Sequence, residues 1–400
     1  MNNPFNTPCS NPVVNLENIW DDTRNHFTTL DLNTICFTKG TNIEISRIHK
    51  KCKCFKNYFG DDCGIPSYIW KTGNNAKLLP NIVRRRKLPR RIIYALPVNH
   101  EFDLFETRMA MHSDVVDVFI LHESNNTNSG HLKPRLFFNK FRNEGWFRDV
   151  YHKFIYIFQD TFPEEGKSNG QIADAFMRKH LGQTAFNHRL NGAKDDDMFI
   201  YNDGDELIRP EVITFLKLYE GFTDPIGFKY RWAIFGFFWT IIESKFGEVR
   251  NFETAAMTVG FFRDFYKYDA SVIKGSEFEK DNELNVALKK SYTEKGKRIK
   301  LFKCAEDAGW HCSYCFKPEG VRKKLLDAPV SDWPRWGDDP VKSNATYIRN
   351  LIRNGQFFDS RYFRGSTSNV LTLETDPEIA PQYMLQNLDK FKYLIINEYT

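Results

Sequence analysis

Met198-Phe199-Ile200-Tyr201-Asn202-Asp203-Gly204-Asp205-Glu206 is the stretch on which the fold turns. Its first four residues are apolar, and the run then stops at amides and acids. A short apolar run closed by turn residues reads as a buried strand, and the switch to charge marks the rim of a sheet. Three earlier runs share this form: Ile92–Val98 before Asn99, Glu101 and Asp103; Val115–Leu121 before His122, Glu123 and Ser124; and Phe154–Phe158 before Gln159, Asp160 and Thr161. Helical patterns lie between or after them. Residues 170–181 carry Ile172, Ala173, Phe176 and Met177 at three- and four-residue spacing. Pro210 opens a segment with Val212, Phe215, Leu216 and Tyr219 on one face and a stop at Gly221. Such alternation predicts an α/β domain with a mostly parallel central sheet, in which ligands lie beyond the carboxyl ends of the strands. Ile226–Trp239 reads as paired strands turning near Phe235-Gly236, residues 267–303 as a lysine-rich loop or insertion, and residues 310–358 as a compact aromatic-rich region.

The chain has 400 residues, 41% of them apolar and 15% aromatic, so a large core is available and whole-chain disorder is excluded. Lys and Arg number 56 against 51 Asp and Glu, a net charge of +5 that is too mild for a protein coating nucleic acid. The longest apolar run, Trp232 to Trp239 and on to Ile242, is about half of what spans a bilayer. The start, Met1-Asn2-Asn3-Pro4, has no basic or apolar leader region. There is no GxxxxGK[ST] motif and no GxGxxG after the first strand, which disfavours P-loop and Rossmann sites.

Of the eight cysteines, Cys9, Cys36, Cys52, Cys54 and Cys63 lie at the front and Cys304, Cys312 and Cys315 near the back. Cys52-x-Cys54, then Tyr58-Phe59-Gly60 and Cys63, resembles the second half of an epidermal-growth-factor-like module. So small a segment needs cross-links to hold together, which implies disulfides at Cys52, Cys54 and Cys63 and an oxidising compartment. A zinc knuckle is the alternative, although Cys-x-Cys fits zinc spacing poorly. Sequons at Asn125 and Asn344 are compatible with a secretory route. The expected layout is a flexible lead-in over 1–35, a partial EGF-like segment over 36–66, a basic linker over 67–90 and a catalytic domain over 91–400. The basic run Arg84-Arg85-Arg86-Lys87 is read as a solvated linker, with a nuclear or nucleic-acid patch as the competing reading.

Two acidic clusters flank the fourth strand. Asp195-Asp196-Asp197 precedes it and belongs to the far end of the sheet, whereas Asp203-Gly204-Asp205 follows it on the ligand side. Glycine between two aspartates lets a turn aim both carboxylates at one point. A divalent cation relieves their repulsion and bridges onward to phosphate oxygens. The competing reading is an acidic helix start, with Asp205 or Glu206 facing open backbone N–H groups before Pro210.

Several longer motifs point to one family: Asn99-His100-Glu101-Phe102-Asp103-Leu104, Val116-Asp117-Val118-Phe119-Ile120 with Glu123-Ser124-Asn125, Asp203-Gly204-Asp205-Glu206, Gly236-Phe237-Phe238-Trp239, Gly309-Trp310-His311-Cys312-Ser313-Tyr314-Cys315-Phe316 and Pro334-Arg335-Trp336-Gly337-Asp338. Residues 90–400 resemble the β-1,4-mannosyl-glycoprotein β-1,4-N-acetylglucosaminyltransferases, glycosyltransferase family 17. The resemblance implies a GT-A-like fold, UDP-GlcNAc as donor, the N-glycans of glycoproteins as acceptors, a divalent cation (Mn2+), inversion at the sugar and a Golgi-lumenal setting. It also implies an N-terminal membrane anchor, which this sequence lacks, so either the chain starts late or this member is delivered differently.

On that resemblance Asp203, Asp205 and His311 are the expected metal and diphosphate ligands. Asn99, Glu101 and Asp103 are expected to hold the nucleoside, with Asp174, Arg178 and Arg231 orienting the donor. An inverting transfer needs one carboxylate base, for which Asp338 and Glu206 come first and Glu123 next. His311 has a packed, hydrogen-bonded reading, Asp174 and Arg178 one as a local ion pair, and Arg231 one as a surface arginine. A different glycan or glycolipid acceptor, or a secreted glycan-binding protein with structural calcium, are the alternative functions.

Overall fold

The computed structural model describes residues 13–240, 252–275, 277–280, 282–328, 335–358, 372–373 and 378–399. The first part of the expected lead-in, with Cys9, lies outside the described residues, as do Ile242 and Pro334. Seven strands form the central sheet: β1 (Ile92–Pro97), β2 (Val118–Ser124), β3 (Phe154–Gln159), β4 (Met198–Tyr201), β5 (Asp224–Phe228), β6 (Glu253–Thr258) and β7 (Ile299–Ala305). Their spatial order is β3-β2-β1-β4-β6-β5-β7, and β6 alone runs antiparallel to its neighbours. The sheet is thus mostly parallel, as the apolar runs predict. Both faces are covered, which is why the strands are apolar throughout rather than alternating. Ile92, Tyr94 and Leu96 enter one core cluster, and Ile93 and Ala95 enter the other.

Helices α1 (Phe102–His112), α2 (Gly170–Thr184) and α3 (Pro210–Leu218) pack on the sheet, while Val321 and Leu325 of α4 (Pro318–Asp327) pack with Ile234 and Phe238 in a separate cluster. Phe105 and Met109 of α1 and Val212 and Phe215 of α3 pack on the first face, and Leu181 of α2 on the second. A second sheet carries Glu206–Ile208, Gly309–Ser313, Arg231–Ile234, Gly236–Thr240 and Thr372–Leu373 in that spatial order. The expected turn at Phe235 joins two of these strands, while β5 belongs to the central sheet.

The front of the chain differs from its sequence reading. Residues 13–35 are docked rather than free: Val14–Asn15 pairs with Leu190–Asn191, Leu16 is 0% exposed in the second cluster, and Phe27 enters the first. Disulfides join Cys36 to Cys52 and Cys54 to Cys63, and Asp62 accepts a hydrogen bond from Tyr219 at 3.0 Å, tying the cysteine segment to the main domain. The basic stretch is paired along its length rather than a free linker, although Arg84, Arg85 and Lys87 remain exposed. Arg84–Arg85 pairs with Tyr219–Glu220, and Arg86, Arg90 and Arg91 meet Asp196 or Asp197. Of the acids before β4, Asp196 and Asp197 are counter-charges of Arg86, Arg90 and Arg91, while Asp195 pairs with Arg263. Residues 267–303 are not one loop: they hold a helix over Glu283–Glu294 and the start of β7. No helix among the described residues is long and apolar enough to cross a membrane.

Docking of the front segment makes a direct prediction. Leu16→Ala should lower the unfolding free energy by about 2–5 kcal/mol, the usual cost of emptying a closed site. A urea midpoint shift worth less than about 0.5 kcal/mol would show that the segment carries no load.

Candidate active site

The chain leaves the carboxyl end of β4, beside that of β1, at the point where the sheet's connections change direction. Clefts form there in open α/β sheets. Asn202-Asp203-Gly204-Asp205 makes the turn, and Glu206–Ile208 continues as a strand antiparallel to Gly309–Ser313, placing Glu206 opposite His311. The approach is close enough to require glycine at 309, because a Cβ there would lie 1.9 Å from the Leu207 carbonyl oxygen. Gly204 is a different case from the one expected: its φ lies outside the left-handed region, and a Cβ would meet Glu101 Oε2 and the Pro97 carbonyl at 3.4 Å. Arg108 of α1, fully buried, donates from one guanidinium nitrogen to the carbonyls of Asp203 (3.1 Å), Gly204 (3.1 Å) and Glu206 (2.6 Å).

Three carboxylates in one turn must be paired. Lys274 Nζ lies 2.8 Å from Asp203 Oδ2, 2.6 Å from Glu206 Oε1 and 3.5 Å from Glu253. Asp203 Oδ1 accepts from Tyr201 at 3.1 Å and lies 3.3 Å from Arg178, whose other partner is Asp174 at 3.1 Å. Lys324 Nζ is 2.6 Å from Asp205 Oδ2, and His311 Nε2 is 3.6 Å from Asp205 Oδ1. Burial works to raise the pKa of all three acids. Lys274 and Arg178 outweigh it at Asp203, which is held far below the usual carboxylate range. Lys324, followed by His311, brings Asp205 to about 2, and Lys274 lowers Glu206 against the repulsion of Asp203. The turn is therefore fully ionised at neutral pH.

A cleft of 530 Å³ opens over these groups. Among the residues expected at the site, Asn99, Glu101, Asp174, Arg178, Asp203, Asp205 and His311 all line it. Others do not. Glu206 is 0% exposed, with Oε1 on Lys274 and Oε2 accepting from Asn202 and the Asp203 N–H, so it braces the turn and has no oxygen for a substrate proton. Glu123 is also buried: its two oxygens accept the N–H groups of Phe137 and Phe138 and the Tyr156 hydroxyl, which makes it an anchor for the chain after β2. Asp338 pairs with Arg335 at 2.9 Å away from the cleft wall, Asp103 takes the Tyr393 hydroxyl, and Arg231 meets Asp307 at 3.0 Å. Asn344 is exposed at a helix start, whereas Asn125 is half-buried with a buried Thr127 in its sequon. Cys312 and Cys315 form a disulfide beside His311, and Cys304 is a buried thiol.

The sequence reading passed over Arg108, Lys133, Lys274 and Lys324. Arg108 was visible as a charge on the apolar face formed by Leu104, Phe105 and Met109, and Lys324 as a lysine beside Leu325 at the edge of a buried stripe. Lys274 carried no local signal. On the β1–β2 side of the cleft, Asn99 Oδ1, both ring nitrogens of His100 and Lys133 Nζ are buried with no hydrogen-bond partner among the described residues.

A divalent cation has limited but suitable ligands here. Among the described residues no group of three or more His, Cys, Asp or Glu converges as a ligand set. Asp205 Oδ1 and His311 Nε2, at 3.6 Å, are within the roughly 4.2 Å that two ligands each about 2.1 Å from one ion can span. Phosphate oxygens and water would complete such a shell, a mode usual for cations bound with nucleotides.

The class of protein follows from comparison. Residues 66–263, just under half of the chain, match the sequence model of glycosyltransferase family 17. Its relatives include proteins named β-1,4-mannosyl-glycoprotein 4-β-N-acetylglucosaminyltransferase from rat (35% identical over 356 residues), human (36%) and mouse (35%). Each alignment covers 87% of this chain and 62% of the relative, so the chain spans less than two thirds of the length of these proteins.

Lys274→Met should destabilise the fold by about 3–5 kcal/mol, because it removes the lysine that neutralises buried Glu206, and adding Glu206→Gln should recover part of the loss. Equal loss in single and double variants would contradict this. Because the folded-state pKa values of the three acids lie below their ordinary 3.8 and 4.5, the stabilisation is whole above about pH 4.5; the share of Asp205 is lost as the pH falls to about 2, and that of Asp203 persists to lower pH. Thermal melts across that window should show a smaller acid loss for Asp205→Asn than for the parent chain.

Proposed function

We propose that the protein transfers GlcNAc from UDP-GlcNAc to the 4-hydroxyl of the core β-mannose of N-glycans, with inversion and with Mn2+ as cofactor. The observation that carries this reading is the meeting of Asp205 and His311 across one cleft rimmed by Arg178 and Lys324. A carboxylate, an imidazole and two cationic side chains suit a nucleotide diphosphate. The strand order with a single reversed strand supports a GT-A-like fold, and the names of the relatives support the sugar and the acceptor.

Asp205 and His311 would hold the cation, which when bound supplies Lewis-acid neutralisation of the departing diphosphate. Arg178, kept in place by Asp174 and Asp203, presents its positive charge to the same oxygens. Lys274 and Arg108 hold the turn so that Asp205 does not have to reorganise during reaction, the kind of preorganisation that lowers barriers. Asn99 Oδ1, His100 and Lys133 on the β1–β2 side offer one acceptor and several donors to the nucleoside. Three disulfides support an oxidising compartment, and we place the protein in the Golgi lumen.

The test is an assay with Mn2+, labelled UDP-GlcNAc and a biantennary N-glycan, with mass spectrometry of the product linkage. Asp205→Ala and His311→Ala should each reduce turnover by about 10²-fold or more at a temperature where circular dichroism shows the variant as fully folded as the parent chain. Undiminished turnover in either variant would remove the proposed site. Transfer to a different glycan or to glycolipid would keep the chemistry and replace the acceptor, and no turnover of any donor would favour a glycan-binding protein.

A further inference from the structure

We propose that Lys324 changes partners when the site is loaded: it competes with the divalent cation for Asp205 and, once displaced, binds the donor diphosphate. The inference rests on the metal and donor reading above and adds a residue that neither the family match nor the motifs single out.

Three observations carry it. First, Lys324 Nζ is 2.6 Å from Asp205 Oδ2, the carboxylate whose other oxygen faces His311 at 3.6 Å. An ammonium on one carboxylate oxygen withdraws charge from the other, so Asp205 is a weaker metal ligand while Lys324 stays. Second, Lys324 is held in a way that permits exchange. Its backbone is fixed in α4 by Val321 and Leu325, which are 0% and 2% exposed, while its four-carbon stem lines the cleft with Nζ 5.8 Å from the centres of the Tyr314 and Phe316 rings. Its other acidic neighbour is Glu101 at 3.8 Å, also on the cleft wall.

Third, the other two cations of the turn cannot do the same. Lys274 spans Asp203, Glu206 and Glu253, and its departure would take the lysine charge from fully buried Glu206, leaving it the N–H groups of Asn202 and Asp203 and His311 Nδ1 at 3.7 Å. Arg178 is divided between Asp174 and Asp203. Lys274 also pairs with a carboxylate near His311, Glu206 at 3.7 Å from Nδ1, but that acid is fully buried; Lys324 alone among these three pairs with the cleft-lining carboxylate that faces His311 Nε2. When a cation takes over Asp205, the ammonium loses its partner at 2.6 Å and is left beside the incoming phosphate oxygens, where a charge-assisted hydrogen bond replaces the lost pair.

The exchange predicts effects of opposite sign. Mn2+ affinity without nucleotide is read by electron paramagnetic resonance of the free ion, and UDP affinity in saturating Mn2+ by calorimetry, both on the whole chain. Lys324→Met should bind Mn2+ alone several-fold more tightly and UDP about tenfold more weakly. Lys324→Arg should restore most of the UDP affinity, and Lys324→Gln, which keeps a polar stem end, should repeat the signs of Lys324→Met if that variant fails to fold. A purely structural lysine would weaken both ligands together when replaced. Shifts in the same direction, or no shift in either, overturn the inference while leaving the donor reading intact. A parent chain that binds neither Mn2+ nor UDP overturns the donor reading, and this inference falls with it.

Discussion

Three carboxylates confined to one turn repel each other, and the structure around the cleft answers that repulsion. Asp203, Asp205 and Glu206 are each met by a cation from a different part of the chain: Arg178 from α2, Lys274 from the segment before the 283–294 helix, and Lys324 from α4. Arg108 binds the backbone of the same turn through its carbonyls. The turn thus ties together elements that are distant in sequence, and a buried charge network of this kind is costly to break once formed. Its geometry follows from sheet register, since the pairing of Glu206 with His311 places the imidazole over Asp205.

The central sheet was legible because its strands are buried on both faces. Ile92–Pro97 and Met198–Tyr201 are continuous apolar runs ending in polar residues, and that pattern survives without any knowledge of partners. The ligand edge was legible for the same reason, as Asn99, Glu101, Asp203 and Asp205 come directly after strand ends. Glu253 was hidden because β6 runs backwards, so the ligand edge lies at its start and no preceding apolar run announces it.

What escaped the sequence depended on long-range charge pairing. The arginines at 86, 90 and 91 look like a solvated run until Asp196 and Asp197 are placed beside them. Residues 13–35 look featureless because their anchors are single: Leu16 in a pocket, Phe27 in another and one short strand pair. Glu206 and Glu123 were attractive as bases by position and chemistry, yet both have their oxygens committed to neighbouring N–H, O–H or ammonium groups. Proximity to a site in sequence says nothing about such commitments, which are made by residues up to 68 positions away in the case of Lys274 and Glu206.

The account stands on Asp205 and His311 acting as one grip for a cation that a diphosphate shares. Anomalous diffraction at the manganese edge, from crystals grown with Mn2+ and UDP, tests that grip directly. A single strong peak about 2.1–2.3 Å from a carboxylate oxygen of Asp205 and from His311 Nε2, with the diphosphate completing the shell, is the predicted result. A peak remote from this pair, or UDP seated outside the cleft above β1 and β4, would contradict it.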